Sequence, residues 1–559
     1  MRLFLLAATV GLTTALAPIA ARAADRLQDE RSRAVAELVG SVAESDEPGL
    51  AVAVLLNGVV TASAVAGQAD LEQNAAITPA TVFQAASLSK QFTAFAVLLL
   101  EQDGKLSIDD PVSDYLPETR RLPPITLRQL MSHTNGMRDL GSLLAMAGWR
   151  TEDLVTNAQA LNMVLAQDGL NFAPGTAFQY NNSDYVLLAE VVRRVSGQDL
   201  AAFCQTRIFE PLGMTRTRFA NDLTAIQPTR AQSYNPRGEG FVRSILNFAY
   251  TGPTGLQTTA EDLLLWAANF ETGTVGGPAV FRRMEKVGQL NDGSESFYPY
   301  ALGQERHVYE GRTVWSHGGR DAGFRSFLLR VPGEGLAVSV LSNRSDIDAS
   351  ATAYRIADIY LAPGASRTDP ASMPTPDDLA AFAGHYELFP GLIMSFSTDA
   401  GQLFLSMDGQ DPVALTALSD RVFELNARSG LSVVFDPAEA GKSPGLKYVI
   451  GLNGALSAAR LELLPFTPDT VRPEDYVGRY YSAELGTDYV FEVDHGTLIA
   501  RHPRWLTIRM EAYQPDTFSG EDGLLPRVRF HRDSQDRVTG FDLSAPVAEG
   551  VTFVRLPGT

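Results

Sequence analysis

Ser87 and Lys90 stand three residues apart in AASLSKQF (85–92), just ahead of the apolar run FTAFAVLLL. In a helix that begins near Ser87, positions i and i+3 share a face, so the hydroxyl and the amine lie side by side. The helix N-terminus adds free backbone N–H groups and the positive end of the helix dipole at the same place. A hydroxyl is a poor nucleophile until a neighbouring base takes its proton. A lysine fills that role when burial and nearby positive charge lower its pKa, and a Ser–Lys pair is one variant of the serine triad. Taken alone, Ser-x-x-Lys is equally what an ordinary N-cap serine followed by a lysine looks like.

Two further groups of residues have chemistry in them. Tyr180-Asn181-Asn182 lies in PGTAFQYNNSDYVLLAE, in a turn just before a helix over residues 183–197 with Ser183 as N-cap and Gly197 at its end. A phenol beside an ammonium can have a depressed pKa and relay protons, and Asn182 is placed to orient the lysine or hold a substrate carbonyl. The plain alternative is a half-buried tyrosine and two turn asparagines. His317-Gly318-Gly319, in TVWSHGGRDAGFRSFLLRV, follows the apolar VW of a strand. Glycines there let a substrate lie along the strand, and an inward N–H of Arg320 pairs with that of Ser87 as an oxyanion hole. Alone, it reads as a strand-end turn with a surface histidine.

These residues need a frame. AVAVLLNGVVTASAVAG (51–67) reads as a hairpin around Asn57-Gly58, and FRSFLLRVPGEGLAVSVLSN (324–343) as another around Pro332-Gly333. Helical stretches such as AEDLLLWAANF (260–270) fall between them. One sheet built from both ends of residues 24–365, with a helical region, is the expected catalytic domain. Residues 366–376 lie in a Pro/Ser/Ala-rich linker. Beyond it, FAGHYE (382–387) matches YVGRYY (476–481), with Gly384 opposite Gly478, and GQLFLSMDG (401–409) matches GTLIARHP (496–503). Two related β units of about 90 residues, 377–467 and 468–559, are expected as small antiparallel barrels or sandwiches.

The 559 residues are 45% hydrophobic and 20% charged, an ordinary globular composition. A formal net charge of −19 argues against a nucleic-acid partner. Residues 1–23 read as a secretory signal with Ala21-Arg22-Ala23 as the cleavage site, so the expected location is exported, periplasmic or secreted, with no membrane span in the mature chain. Removing Arg2 and Arg22 takes the charge from −19 to −21. Cys204, the single cysteine, reads as a buried structural thiol, and seven scattered histidines with no H-E-x-x-H support neither a metal nor a cofactor.

In order and spacing, Ser-x-x-Lys, Tyr-x-Asn about 90 residues later and a late basic residue-x-Gly resemble the penicillin-recognising serine hydrolases, on the class C β-lactamase and D,D-peptidase side. LMSHTNGMRD (130–139) is similar to the family's His-Thr-x-Gly turn, and GLQTTAEDLLLW (255–266) to its Gly-Leu-x-Ser/Thr-Thr-x-x-Asp-Leu segment. The resemblance spans roughly residues 30–360 and implies an α/β (α+β) domain of β-lactamase/transpeptidase type: an antiparallel sheet flanked by helices, with a helical subdomain. It implies Ser87 as nucleophile, Lys90 and Tyr180 sharing acid–base work, Asn182, His317, Gly319 and Arg320 binding substrate, and no cofactor. It makes His133 a structural turn residue, in keeping with the lack of a G-x-S-x-G elbow.

Two departures shape the expected activity. His317 stands where β-lactamases usually carry lysine, which resembles D-aminopeptidases and some esterases of the family and weakens the demand for a substrate carboxylate. A catalytic domain followed by two β domains also resembles the D-aminopeptidase architecture, in which a loop of the last domain supplies an acid for the substrate amine. SGEDGLL (519–525), with Glu521 and Asp522, is the candidate here. The expected function is an exported peptidase or amidase on short peptides, D-amino-acid peptides included. An esterase or weak β-lactamase, and a non-catalytic penicillin-binding-type receptor, are the alternatives. The C-terminal units could also bind a partner or carbohydrate through aromatics such as Tyr480 and Tyr481, or cover the cleft.

Overall fold

The structure is a computed structural model that describes residues 26–362, apart from Leu246 and Phe297, and 373–558, apart from 390, 408–410, 426–430, 451–454, 463–465 and 467–470. Residues 1–23, where a signal segment is expected, and most of the linker lie outside the described residues.

A six-stranded antiparallel sheet forms the centre of the first domain. Its strands are β1 (Leu50–Leu56), β2 (Val59–Ala66), β3 (Glu305–Tyr309), β4 (Arg312–Asp321), β5 (Phe324–Val331) and β6 (Leu336–Ser342), in the order β3-β4-β5-β6-β1-β2. Both expected hairpins are present, and Asn57 takes the positive φ (50°) that its turn requires. The alternation along β1 shows why the sheet sits between two layers. Ala51, Ala53 and Leu55 face the cluster built by α2 (Ser89–Gln102) and by the helix Ala260–Thr272. Leu50, Val52 and Val54 face a second cluster, formed by helix α1 (residues 26–40) and the helix Ala349–Tyr360. Residues 89–100 are all buried, so α2 is apolar all round because it runs through the core.

Two β units follow. The first is a nine-stranded antiparallel sheet, nearly closed on itself, running from Gly384–Phe389 to Ala455–Leu461 with two short outer strands (Val413–Ala414 and Thr416–Ala417) at its edges. The second is a closed eight-stranded barrel between Gly478–Ser482 and Ala548–Arg555. The weak internal sequence match has a physical basis. Gly384 and Gly478 have φ of 144° and 153°, which a side chain rarely adopts. A Cβ at either would strike an arginine from the unit's last strand, Arg460 or Arg555. Those arginines lie over the buried Tyr386 and Tyr480, whose hydroxyls close back on Phe382 O (2.9 Å) and Tyr476 O (2.8 Å). Tyr480 is therefore core, not a ligand platform; Tyr481 is the exposed one of the two. No helix among the described residues is long and apolar enough to cross a membrane.

Candidate active site

Ser87 sits in a 3-10 turn, Ala86–Leu88, that runs directly into α2. The chain enters this turn through Ala86 at φ 50°, a left-handed conformation that costs on the order of 1 kcal/mol or more for a residue with a Cβ. Neighbours hold it there: Ala85 N donates to Leu256 O (2.8 Å) and Ser326 Oγ to Ala85 O (2.7 Å). The result lifts the Ser87 hydroxyl out of the helix line into a cleft.

Lys90, one turn on, is wholly buried beneath Ser87. Its Nζ lies 3.1 Å from Ser87 Oγ, 2.9 Å from Asn182 Oδ1 and 3.1 Å from Pro253 O. Burial lowers its pKa to about 7, against the pull of Asp321, Asp139 and Asp184. A neutral amine has two N–H groups and one lone pair. The Asn182 and Pro253 oxygens are acceptors only and take both N–H groups, which leaves the lone pair directed at Ser87 Oγ.

Tyr180 lies over this pair, with its ring centroid 4.6 Å from Lys90 Nζ. Burial drives its pKa well above the ordinary value, and a hydrogen bond with Ser87 only partly offsets this. Desolvation thus prevails, and the phenol keeps its proton near neutral pH rather than showing the depressed pKa expected beside an ammonium. The 132–136 turn sets its place. Gly175 N donates to Thr134 O (2.6 Å), Asn171 N to Gly136 O (2.7 Å) and Gln179 N to His133 O (2.9 Å), so the 132–136 turn fixes the 171–180 segment. His133 itself is buried at φ 59°, its ring 4.6 Å from that of Tyr180 and its Nδ1 2.8 Å from Asp184 Oδ2. Burial lowers the pKa of His133 and raises that of Asp184. Asn182 opens the helix Asn182–Ser196; the N-cap is Asn181, whose Oδ1 accepts from Ser183 N (2.7 Å), rather than Ser183, which donates to Arg138 O (2.7 Å).

On the far side, β3 pairs only with residues 312–316 of β4, so 317–321 has one edge left open at the cleft. His317 Nδ1 is 2.6 Å from Gly318 O, a pure acceptor, so Nδ1 carries the proton and Nε2 accepts from Tyr300 OH (3.0 Å). Burial lowers the His317 pKa, and the ring is neutral. A Cβ at Gly319 would come within 2.3 Å of Ser326 Oγ and 2.4 Å of Ala85 O, so this strand can cross the Ser87 turn only at a glycine. Gly319→Ala is expected to cost about 1–3 kcal/mol of stability, measured by thermal unfolding, and to lower turnover further than that loss explains, because the strand must back away from Ser87.

Ser87, Tyr180, Asn182, His317, Gly319 and Arg320 line one cleft of about 510 Å³, with Lys90 under its floor. Several residues of the site were not singled out from sequence. Asp139, last residue of the 130–139 turn segment, accepts from Asn182 N (2.6 Å) and caps the helix Leu140–Met146. Pro253 supplies a carbonyl to Lys90, and Glu305 and Asp321 add carboxylates to the cleft. A carbonyl acceptor leaves no trace in residue type; Asp139 and Asp321 lie within segments quoted above, though neither stood out there.

None of the described residues that line the cleft comes from the acidic 519–525 loop. Glu521 Oε1 accepts from Arg509 N (3.1 Å) within its own barrel, the next residues abut the other β unit through Pro526 against Gly391 and Arg527 on Glu387 (2.6 Å), and the Asp522 side chain lies outside the described residues. What the last barrel does bring is a turn and a wall. Val547 O accepts from Asp139 N (2.9 Å) and Asn171 Nδ2 (3.0 Å), and Arg138 binds Glu484 and the carbonyls of Glu549 and Gly550. Arg504 lies 4.5 Å over the Trp149 ring and pairs with Asp153, which brackets the Trp149-Arg150-Thr151 wall of the cleft. Arg504→Ala is expected to leave unfolding nearly unchanged, since an exposed pair contributes about 1 kcal/mol at most, while KM rises several-fold. An unchanged KM would separate the barrel from the site. Cys204 is buried, with its thiol pKa pushed well up.

Comparison with known proteins adds the following. The family model described as Beta-lactamase matches residues 25–361. A D-aminopeptidase from Brucella anthropi is 25% identical over 523 residues, 91% of this chain and 95% of its own length. A D-aminopeptidase from Gluconobacter oxydans is 31% identical over 311 residues, 56% of this chain and 58% of its own, so the chain spans under two thirds of that relative. Among solved structures, SurE matches with a TM-score of 0.58 and 25% identity over 78% of this chain and 100% of its own. The octameric penicillin-binding protein homologue from Pyrococcus abyssi has a TM-score of 0.55 at 20% identity, covering 77% of this chain and 99% of its own.

Proposed function

The chain belongs to the beta-lactamase family of serine hydrolases, and from that premise we propose that it is an exported amidase or peptidase that acts through an acyl-enzyme on Ser87, with short peptides or amino-acid amides of D configuration as substrates. The single observation behind the acylating serine is the Lys90 amine, whose two N–H groups are taken by Asn182 and Pro253 while Ser87 Oγ stands at 3.1 Å.

In this reading neutral Lys90 takes the Ser87 proton as Oγ bonds to the substrate carbonyl carbon. The displaced electron pair moves to the carbonyl oxygen, held by the N–H groups of Ser87 and Arg320. The tetrahedral adduct collapses, the C–N bond breaks, and the amine leaves with the proton of the Tyr180 phenol, which Lys90 restores. Water, deprotonated by the same pair, then releases the acid and frees Ser87. Asn182 orients Lys90, and neutral His317 shapes the substrate side. The amidase reading is preferred to a β-lactamase because the uncharged His317 offers no cation to a substrate carboxylate. The D configuration is supported by the D-aminopeptidases that resemble the chain, and export by the leader-like residues 1–23. A panel of D- and L-aminoacyl amides, D-Ala-D-Ala peptides, short esters and a cephalosporin tests it. The expected order of kcat/KM places D-amides above their L forms and above the β-lactam; turnover led by the β-lactam or by the L-amides would overturn the substrate assignment.

A further inference from the structure

The cleft contains a carboxylate for which the acyl chemistry has no use. Glu305 opens β3 opposite Ser316, is 3% exposed, and lines the same cleft as Ser87 and His317. Two side chains hold it: the Tyr298 hydroxyl hydrogen-bonds to it, and His307 Nε2 lies 3.2 Å from Oε2. Among the described residues no lysine or arginine pairs with it. A carboxylate withdrawn from water without a cation is costly unless the cation arrives with a ligand.

The surroundings favour that outcome. His317, next along the sheet, is neutral in the tautomer fixed by Gly318 O and Tyr300. The cleft's two arginines, Arg150 and Arg320, have exposed side chains, and Arg150 is engaged by Glu152 and Asp153. The second carboxylate of the cleft, Asp321, differs in having a cation of its own. Burial raises its pKa, but it accepts from Thr254 and Gln84 and has the Arg325 guanidinium to stabilise its charge. Among the described residues lining the cleft, Glu305 is the buried carboxylate with no lysine or arginine beside it.

We propose that Glu305 is the specificity-determining residue that receives the ammonium group of the substrate. The substrate class is then amides or short peptides with a free amine, and compounds that are acylated at that nitrogen, or that present a carboxylate there, are excluded. The acid comes from the catalytic sheet rather than from a loop of the last barrel. As a statement about which amides are hydrolysed this rests on Ser87 as the acylating residue; as a statement about binding it does not.

The test uses binding, so that the two can fail separately. Calorimetry of the full-length Ser87→Ala protein with D-alaninamide and with N-acetyl-D-alaninamide reads the amine alone. The free amine is expected to bind roughly 30-fold or more tightly, the range found when one partner of a desolvated charge pair is removed. Adding Glu305→Gln should erase the difference while leaving the acetylated compound's affinity unchanged. Glu305→Asp, which keeps the charge, should keep part of it and serves if the glutamine variant does not fold. A preference for the amine that survives Glu305→Gln, or no preference in the Ser87→Ala protein, overturns the proposal. Phosphonate labelling of Ser87 in the wild type reports separately on the acylating serine.

Discussion

Ser87→Ala is expected to remove hydrolysis of every substrate class, amide and ester alike, by a factor on the order of 10⁴ or more in kcat. The argument is geometric. Among the described residues, Ser87 Oγ is the one hydroxyl that meets the lone pair of Lys90, the hydrogen bond of Tyr180 and the open edge of β4 in a single cleft. Ser89, two residues on, is fully buried and accepts from Leu256 N (3.0 Å), so it cannot substitute. The loss should appear in kcat with little change in KM, because alanine removes a bond made in the reaction rather than a contact to the bound amide. The check is steady-state kinetics with a chromogenic amide and ester in parallel. A variant that retains ester turnover would place the nucleophile elsewhere.

Lys90→Met is expected to lower kcat/KM by a factor on the order of 10²–10⁴, the usual contribution of a positioned base. The wild-type enzyme should show a matching pH profile. Lys90 must be neutral to accept a proton, and its pKa is lowered to about 7 by burial. Activity therefore rises through about pH 7 and levels off above about pH 8. The pKa of His317 is lowered and that of Tyr180 raised well above its ordinary value, so neither should bend the curve over that range. The same shift carries a stability signature. From pH 7 to 10 the unfolded chain holds a proton on this lysine that the folded chain does not, so folding gains as pH rises, by roughly 1 kcal/mol per pH unit. The stability of wild type relative to Lys90→Met should climb over that range. A flat difference, or an activity limb that falls as pH rises, would assign the proton to another group.

Much of the site could be read from spacing because its parts are local. Ser87 and Lys90 are one helical turn apart, Tyr180 and Asn182 flank a helix start, and the His317 segment is an apolar strand that turns to glycine. The two hairpins could be read for the same reason: period-two apolar runs around turn residues. What could not be read depends on contacts between distant segments. Tyr180's pKa rises because rings from several parts of the chain, among them His133 and Tyr300, surround it. Asp139 matters through a backbone N–H 43 residues away, and Pro253 through a carbonyl that any residue would supply. The 519–525 loop is acidic in sequence, but barrel closure turns it toward the neighbouring β unit. The turn that does touch the catalytic domain, around Val547, does so through main-chain atoms. Glu305 is an unremarkable glutamate in sequence; only its pairing with Ser316 brings it to the cleft wall.

The most direct measurement is the intact mass of the protein after incubation with an alkyl fluorophosphonate at pH 8, for wild type and Ser87→Ala, followed by peptide mapping. The account predicts one stoichiometric adduct on Ser87 in the wild type, slower to form at pH 6, and none in the variant. An adduct that persists in Ser87→Ala, or a wild-type protein that stays unlabelled both as the full chain and after removal of residues 377–559, would contradict an acylating Ser87 and favour the receptor reading of this cleft.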